Sequence, residues 1–367
     1  MRITSPHDGG NIVVLSADGD TARLQIRPDE GSGFFQWFYF RLSGCRDIPC
    51  QLAIVNAGQS SYPRGWKNYR AVCSSDGVQW RRVETRYDGS TLTIHHTPDS
   101  DTVWFAYFAP YSQAQHDAML VRCQQAGAQV SSLGTTIDGN DIDLITVGSG
   151  PRRIWIPARQ HPGETMASWM AEGLLDQLLS PAGAALRQAA TFSVVPNMNP
   201  DGSRRGYLRS NAVGENLNRA WAAPSPERTP EVFFVRQEMD RTGVDLCMDV
   251  HGDEALPYNF FSAGMLGIPS LTSRQRALYT GFCDAMVAAS DDFQTKWGYP
   301  TPKPGRANLA ICANQIAERF SCVAVTLEQP FKDNADRPDA AFGWSPERAR
   351  QLGADSLIAI AAMLPQL

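Results

Sequence analysis

Arg153-Ile154-Trp155-Ile156-Pro157-Ala158-Arg159-Gln160-His161-Pro162-Gly163-Glu164 passes from an apolar run straight into a Pro-Gly turn carrying a histidine and a glutamate three residues apart. Arg153–Ala158 reads as a strand. Beyond the turn, Met166–Leu179 has helical character, with Trp169, Met170, Gly173, Leu174 and Leu178 on one side, and Ser180-Pro181 stops it. Thr191–Val195, Leu246–Val250, Tyr258–Ser262 and Val323–Leu327 read as further strands. Ser345-Pro346-Glu347 is a cap and first turn for a last helix that continues through Leu364. Alternating elements of this kind predict an open α/β sheet with helices on both faces.

The chain before this region reads differently. Asn11–Leu15, Ala22–Ile26, Gly33–Leu42, Gln51–Asn56, Val78–Tyr87, Ser90–His95 and Thr102–Ala106 are short, rich in β-branched and aromatic residues, and separated by Asp, Gly and Pro turns. That rhythm predicts an antiparallel β-sandwich. The pattern breaks at residues 107–115, so two domains are expected, 1–110 and 111–367. A length of 367 residues suits two domains better than one.

Composition narrows the function. Hydrophobic residues make up 43% of the chain and charged residues 19%, as in an ordinary soluble protein. A net charge of −5 gives no general basic surface for nucleic acid or anionic membrane. No run of about 18 apolar residues suggests a membrane span, and the first residues lack the apolar core of a signal peptide. Eight cysteines without C-x-x-C spacing read as reduced core thiols. A cytoplasmic location is expected.

His161 and Glu164 read as two ligands of a catalytic zinc, since imidazole nitrogen and carboxylate oxygen both suit that ion. Six histidines occur, at positions 7, 95, 96, 116, 161 and 251. Only His161 and His251 fall at strand ends inside the α/β region, which makes His251 the third ligand and leaves a fourth position open for water. Asp249 and Asp253 flank His251 and are placed to orient an imidazole. Glu328 closes a strand that should be buried, and a buried carboxylate needs a partner or a task. Beside zinc it can take a proton from water and later return it to a leaving amine. Ligands of open α/β sheets bind outside the carboxyl ends of the strands, where His161, His251 and Glu328 all fall. Taken singly each has a plainer reading: a core histidine, or a glutamate paired with an arginine. Together at three strand ends they read as a metal site.

A Gly-, Asn- and Arg-rich stretch, Asn197-Met198-Asn199-Pro200-Asp201-Gly202 to Asn218-Arg219-Ala220-Trp221, reads as a long loop above the sheet. Arg209, Asn218 and Arg219 in it suit a substrate that ends in a carboxylate, because the guanidinium fork matches one bidentately. A solvated basic loop is the alternative.

The H-P-G-E turn, N-P-D-G, N-L-N-R-x-W, D-x-H-G and the T-L-E strand resemble the zinc carboxypeptidases of peptidase family M14. Within that group the chain is most similar to the cytosolic carboxypeptidases, which carry a β-sandwich before the catalytic domain. Gln36-Trp37-Phe38-Tyr39-Phe40-Arg41 is similar to the signature of that sandwich. The resemblance covers nearly the whole chain and implies a carboxypeptidase-like catalytic domain with a mixed central sheet. It implies one zinc per chain held by His161, Glu164 and His251, with Glu328 as general base. Arg209 would polarise the scissile carbonyl and hold the oxyanion, and Asn218 and Arg219 would hold the substrate's terminal carboxylate. The implied activity is hydrolysis of C-terminal residues from peptides or proteins.

Two departures stand out. Many members place a substrate-capping tyrosine some twenty residues before the catalytic glutamate, but residues 307–327 contain none, and Tyr299 is the nearest upstream. Members that trim glutamate use basic residues in the specificity pocket. Lys303 and Arg306 are candidates for that role, with a solvated loop as the alternative. Two other functions stay open: a zinc amide hydrolase of small acylated amino acids, like the desuccinylases and aspartoacylases, and a non-catalytic zinc-containing binding protein.

Overall fold

The strands with unbroken apolar sequence lie side by side, because a parallel strand buried on both faces needs apolar residues at consecutive positions. The structure, a computed structural model, describes residues 1–5 and 8–367, so the histidine at position 7 is outside the described residues. Its larger sheet contains β11 (Gln129–Thr135), β12 (Asp141–Val147), β13 (Arg152–Pro157), β14 (Ala190–Val195), β15 (Leu246–Val250), β16 (Phe260–Ser262) and β17 (Val323–Glu328). The order is β11-β12-β14-β13-β15-β17-β16. The four central strands are parallel, and the flanking pairings are antiparallel. This is the mixed sheet expected, with β11 and β12 added at one edge, where alternating polar residues hide a strand.

Because β13, β15 and β17 are parallel neighbours, their carboxyl ends share one rim. His161 follows β13, His251 follows β15 and Glu328 ends β17. A single parallel bridge between Ala158 and Val250 carries the pairing one step past the end of β13. The main helices are α1 (Gln113–Gln125), α2 (Met166–Leu179), α3 (Ala184–Ala189), α4 (Pro200–Arg205), α5 (Pro230–Thr242), α6 (Ser273–Ala289), α7 (Cys312–Phe320) and α8 (Pro346–Met363). Helix α2 has the predicted bounds, and its stripe of Trp169, Met170, Gly173, Leu174 and Leu178 is buried. It crosses α8 with backbones nearly touching: a Cβ on Gly173 would lie 2.3 Å from the Arg350 carbonyl oxygen, and one on Gly353 would lie 2.2 Å from that of Met170. No described helix is long and apolar enough to cross a membrane, and all eight cysteines are free and buried.

The first hundred residues form two five-stranded sheets. One has the order β1 (Arg2–Thr4), β4 (Tyr39–Ser43), β10 (Thr102–Ala106), β6 (Val72–Ser74), β7 (Arg81–Arg82). The other runs β2 (Val13–Asp18), β3 (Thr21–Gln25), β5 (Cys50–Ile54), β9 (Leu92–His96), β8 (Thr85–Tyr87). Pairing is antiparallel except between β3 and β5. Two expected strands need correction. Gly33–Leu42 is a strand only from Tyr39, because Gly31 and Gly33 hold φ of 80° and 77°, and residues 28–38 form a loop that reaches the larger sheet's region. Val78–Tyr87 is split, because Arg81–Arg82 pairs in one sheet and Thr85–Tyr87 in the other.

The two regions share buried contacts. Tyr107 stacks on Phe331 at 4.4 Å, and the Arg82 guanidinium donates to the carbonyls of Phe331 and Trp344 at 2.8 and 3.1 Å.

Candidate metal centre and active site

His161 and Glu164 hang from the turn after β13. Arg159 opens it in the left-handed region at φ 56°, and its buried guanidinium donates to the carbonyls of Pro162 and Tyr111, both at 3.0 Å. The Glu164 N–H closes the turn on the His161 carbonyl at 3.1 Å. His251 Nδ1 lies 2.8 Å from Glu164 Oε2, and His161 Nδ1 lies 2.7 Å from Glu164 Oε1. The two Nδ1 atoms face each other at 3.2 Å. All three residues are buried, and their donor atoms lie within 4.8 Å of one another.

The outer ring nitrogens face oxygen acceptors, from which the tautomers are assigned. His161 Nε2 lies 3.1 Å from the Asn216 side-chain oxygen, and His251 Nε2 lies 2.9 Å from Asp249 Oδ2. With Nε2–H donating to those oxygens, each ring in its neutral form turns the Nδ1 lone pair inward. Asp249 is fixed in turn: Trp221 Nε1–H donates to Gln160 Oε1 at 2.8 Å, and the Gln160 amide donates to Asp249 Oδ1 at 2.7 Å. The anions around the corner favour positive charge there. Burial pushes the His251 imidazole down, but Asp249 and Glu164 carry it well above its ordinary value. Burial and then Arg209 push His161 down to about 4. Burial alone would raise Glu164, but His161 and His251 hold it well below the usual carboxylate range.

Glu328 is buried beside this corner, and its Oε2 has no hydrogen-bond partner among the described residues. Burial, with Glu164, Asp253 and Asp249 nearby and His251 opposing, pushes it up to about 8. Of the two acids flanking His251, only Asp249 orients the ring. Asp253 instead accepts from the Tyr299 hydroxyl at 2.5 Å and from the N–H of Ala255. Tyr299 therefore stands among the site's carboxylates, and desolvation with Glu328 and Asp253 pushes its phenol well up.

Arg209 approaches the same carboxylates from the long loop. Burial disfavours its charge, but Tyr62, Glu254, Glu164 and Glu328 more than compensate and raise its pKa. Arg219 lies near Arg209, Tyr62 and Tyr299 and donates to its neighbour's carbonyl at 2.6 Å. Asn218 lies against the metal corner: its side-chain nitrogen is 3.2 Å from His251 Nε2, and its side-chain oxygen accepts from the Cys312 N–H at 2.8 Å. Lys303 and Arg306 sit apart on an exposed turn and make no ion pair among the described residues.

Residues 3–108 match the cytosolic carboxypeptidase N-terminal domain, and residues 119–263 match the zinc carboxypeptidase family. The chain is similar over 98% of its length to a metallo-carboxypeptidase from Burkholderia cenocepacia, covering 97% of that chain, with 46% identity and a TM-score of 0.94. It is similar over its full length to a metallo-carboxypeptidase from Pseudomonas aeruginosa, itself covered in full, with 42% identity and a TM-score of 0.97. The chain belongs to the zinc carboxypeptidase family. Human cytosolic carboxypeptidase 1 is 27% identical over 292 residues, a match covering 64% of this carboxypeptidase and 24% of the human protein.

The residues present fit zinc. Each imidazole in its neutral form offers an inward Nδ1 lone pair beside a carboxylate, and facing Nδ1 atoms at 3.2 Å are reconciled by a cation between them. Several residues of this carboxypeptidase site had no reading in the sequence. Asn216 and Trp221 stood in the quoted N-L-N-R-x-W run without a role, and Glu254 directly follows the flagged Asp253. Asp29, Phe34 and Tyr62, which meet the Arg209 loop, lie so far away in sequence that no local signal marks them.

Proposed function

We propose that this carboxypeptidase uses zinc to release single C-terminal residues from peptides or proteins, with a preference for acidic ones. The convergence of His161, Glu164 and His251 beside the unpartnered carboxyl oxygen of Glu328 carries this reading. In the proposed arrangement those three residues hold one zinc per chain. A zinc so held acts as a Lewis acid and brings the pKa of a water molecule to about 7.

The chain's own groups do the rest. Glu328, buried beside the metal corner with one carboxyl oxygen free of partners among the described residues, takes a proton from the attacking water as its oxygen adds to the scissile carbonyl carbon. Arg209 donates to the carbonyl oxygen and holds the negative charge that develops there. When the carbon–nitrogen bond breaks, Glu328 returns the proton to the leaving amine. Arg219, with the side-chain amide of Asn218, takes the terminal carboxylate, and Tyr299 covers the substrate from the Asp253 side. Residues 1–110 and 111–367 are read as the two domains, and the buried free thiols support a cytoplasmic location.

The acidic preference rests on Lys303 and Arg306. The segment that bears them starts at Tyr299, bonded to Asp253, and ends at Cys312, bonded to Asn218, so both of its ends meet residues of the site, which supports the reading. The relative from Pseudomonas aeruginosa was solved with (2-guanidinoethylmercapto)succinic acid, whose two carboxylates suit a site holding Arg209 and Arg219. Its guanidinium makes peptides ending in Arg the informative competitor. The test is mass-spectrometric product analysis with peptides ending in Glu, Asp, Leu or Arg and with acylated amino acids, using wild type and a Lys303→Ala/Arg306→Ala variant. Release of Glu and Asp first, with the advantage erased in the variant, supports the reading. Preferred cleavage of acylated amino acids would replace it with a small-amide hydrolase, and no turnover of any substrate with a binding function.

A further inference from the structure

Arg209 stands on coil between α4 and the short turn at Leu217–Arg219, so neither a strand nor a helix fixes it. What fixes it comes from the N-terminal region. The Asp29 carboxylate, on the loop between β3 and β4, accepts the N–H groups of Leu208, Arg209 and Ser210 at 2.7, 2.8 and 2.9 Å, and the Ser210 hydroxyl at 3.0 Å. On the other side the Leu208 carbonyl accepts the N–H of Gly163, from the turn bearing His161 and Glu164. The Arg209 backbone is thus pinned between Asp29 and the metal-ligand turn. Its guanidinium lies 5.8 Å from the ring centre of Phe34 and 5.4 Å from that of Tyr62. Tyr62 precedes Gly65, whose position allows a close approach: a Cβ there would lie 2.8 Å from the Glu254 carbonyl oxygen.

The chemistry of the clamp is specific. A guanidinium that must donate to a developing oxyanion has to stay charged, stay in place and keep its N–H groups free. An ion pair would place it but occupy its N–H groups, and Glu254, Glu164 and Glu328 are near enough to draw it away. Aromatic faces hold a cation without accepting its N–H hydrogens, and no salt bridge to Arg209 is present among the described residues.

We propose that Asp29, Phe34 and Tyr62 are positioning residues for Arg209, so that the N-terminal sandwich is a working part of the active site. The inference rests on the reading of Arg209 as the group that holds the oxyanion. Because that interaction forms in the transition state, loosening it lowers kcat and kcat/KM together and leaves KM and zinc content alone.

The test is steady-state hydrolysis of one peptide by the zinc-loaded full chain, with zinc content and thermal midpoint measured alongside. The set is wild type, Arg209→Ala, Tyr62→Phe, Tyr62→Leu and Tyr62→Leu/Arg209→Ala. Tyr62→Phe keeps the ring and should hold kcat within about twofold, whereas Tyr62→Leu should lower it about tenfold with KM and zinc unchanged. In the Arg209→Ala background the Tyr62→Leu change should add nothing. Wild-type kcat in Tyr62→Leu, an equal loss in Tyr62→Phe, or a full further loss on top of Arg209→Ala would overturn the clamp. If Arg209→Ala itself turns over like wild type, the failure belongs to the role assigned to Arg209 and is recognised as such. Should Tyr62→Leu fold poorly, Phe34→Leu puts the same question to the other ring and is scored in the same way.

Discussion

His161, Glu164 and His251 stand at the ends of parallel strands, and Asp249, Gln160, Asn216 and Trp221, all in the same catalytic region, orient them. Arg209 faces them from coil, held by Asp29, Phe34 and Tyr62 of the other region. A metal tolerates only small errors in ligand position, and a rigid sheet edge gives that precision within one folding unit. A substrate-handling arginine needs charge and reach, and a second domain can supply its support. The two halves of the site should therefore fail in different ways.

The largest failure belongs to the metal corner. His251→Ala should lose both zinc and turnover, read by metal analysis beside peptide hydrolysis; wild-type zinc content would refute His251 as a ligand. On the opposite half, Arg209→Ala should keep zinc and lower kcat by about 10²–10³-fold. Zinc loss in that variant would mean that the halves are not separable. Next comes Asp249→Asn, which leaves the ligands but weakens the orientation of His251. Zinc affinity should fall by about 10–100-fold, measured with a competing chelator, and unchanged affinity would transfer the orienting role elsewhere.

The smallest effect lies beneath the arginine loop, where the buried Glu231 carboxyl meets the Asn211 amide at 3.4 Å. Burial pushes Glu231 up to about 8, against about 4.3 in an unfolded chain. Between those values the folded state keeps a proton that the unfolded state has lost, so this group's contribution to stability falls as pH rises through that window and then levels. Thermal midpoints of Glu231→Gln should gain on wild type from pH 5 to pH 8. A constant gap would show that Glu231 is ionised in the fold.

The metal half was legible because its residues sit where continuous apolar runs end, and such runs are read well from sequence. Arg153–Ala158, Leu246–Val250 and Val323–Leu327 fall within one residue of the observed strands. The other half was less legible because its contacts are long-range. Asp29 meets Leu208 across 179 residues, and nothing near Asp29 marks it. Phe34, Phe35, Trp37 and Phe38 look like a strand, but the paired positive-φ glycines before them bend the segment into the loop that meets Arg209. In the sequence Tyr299 is marked only by being the nearest upstream tyrosine, and its place is set by Asp253, 46 residues away.

Zinc titration of metal-free protein, followed by release of single C-terminal residues for wild type and Glu328→Gln, tests the central claim most directly. The expected result is wild-type activity that rises to a plateau at one zinc per chain, with Glu328→Gln binding the same zinc and releasing nothing measurable. Wild-type release by metal-free protein, or full turnover by zinc-loaded Glu328→Gln, would contradict it.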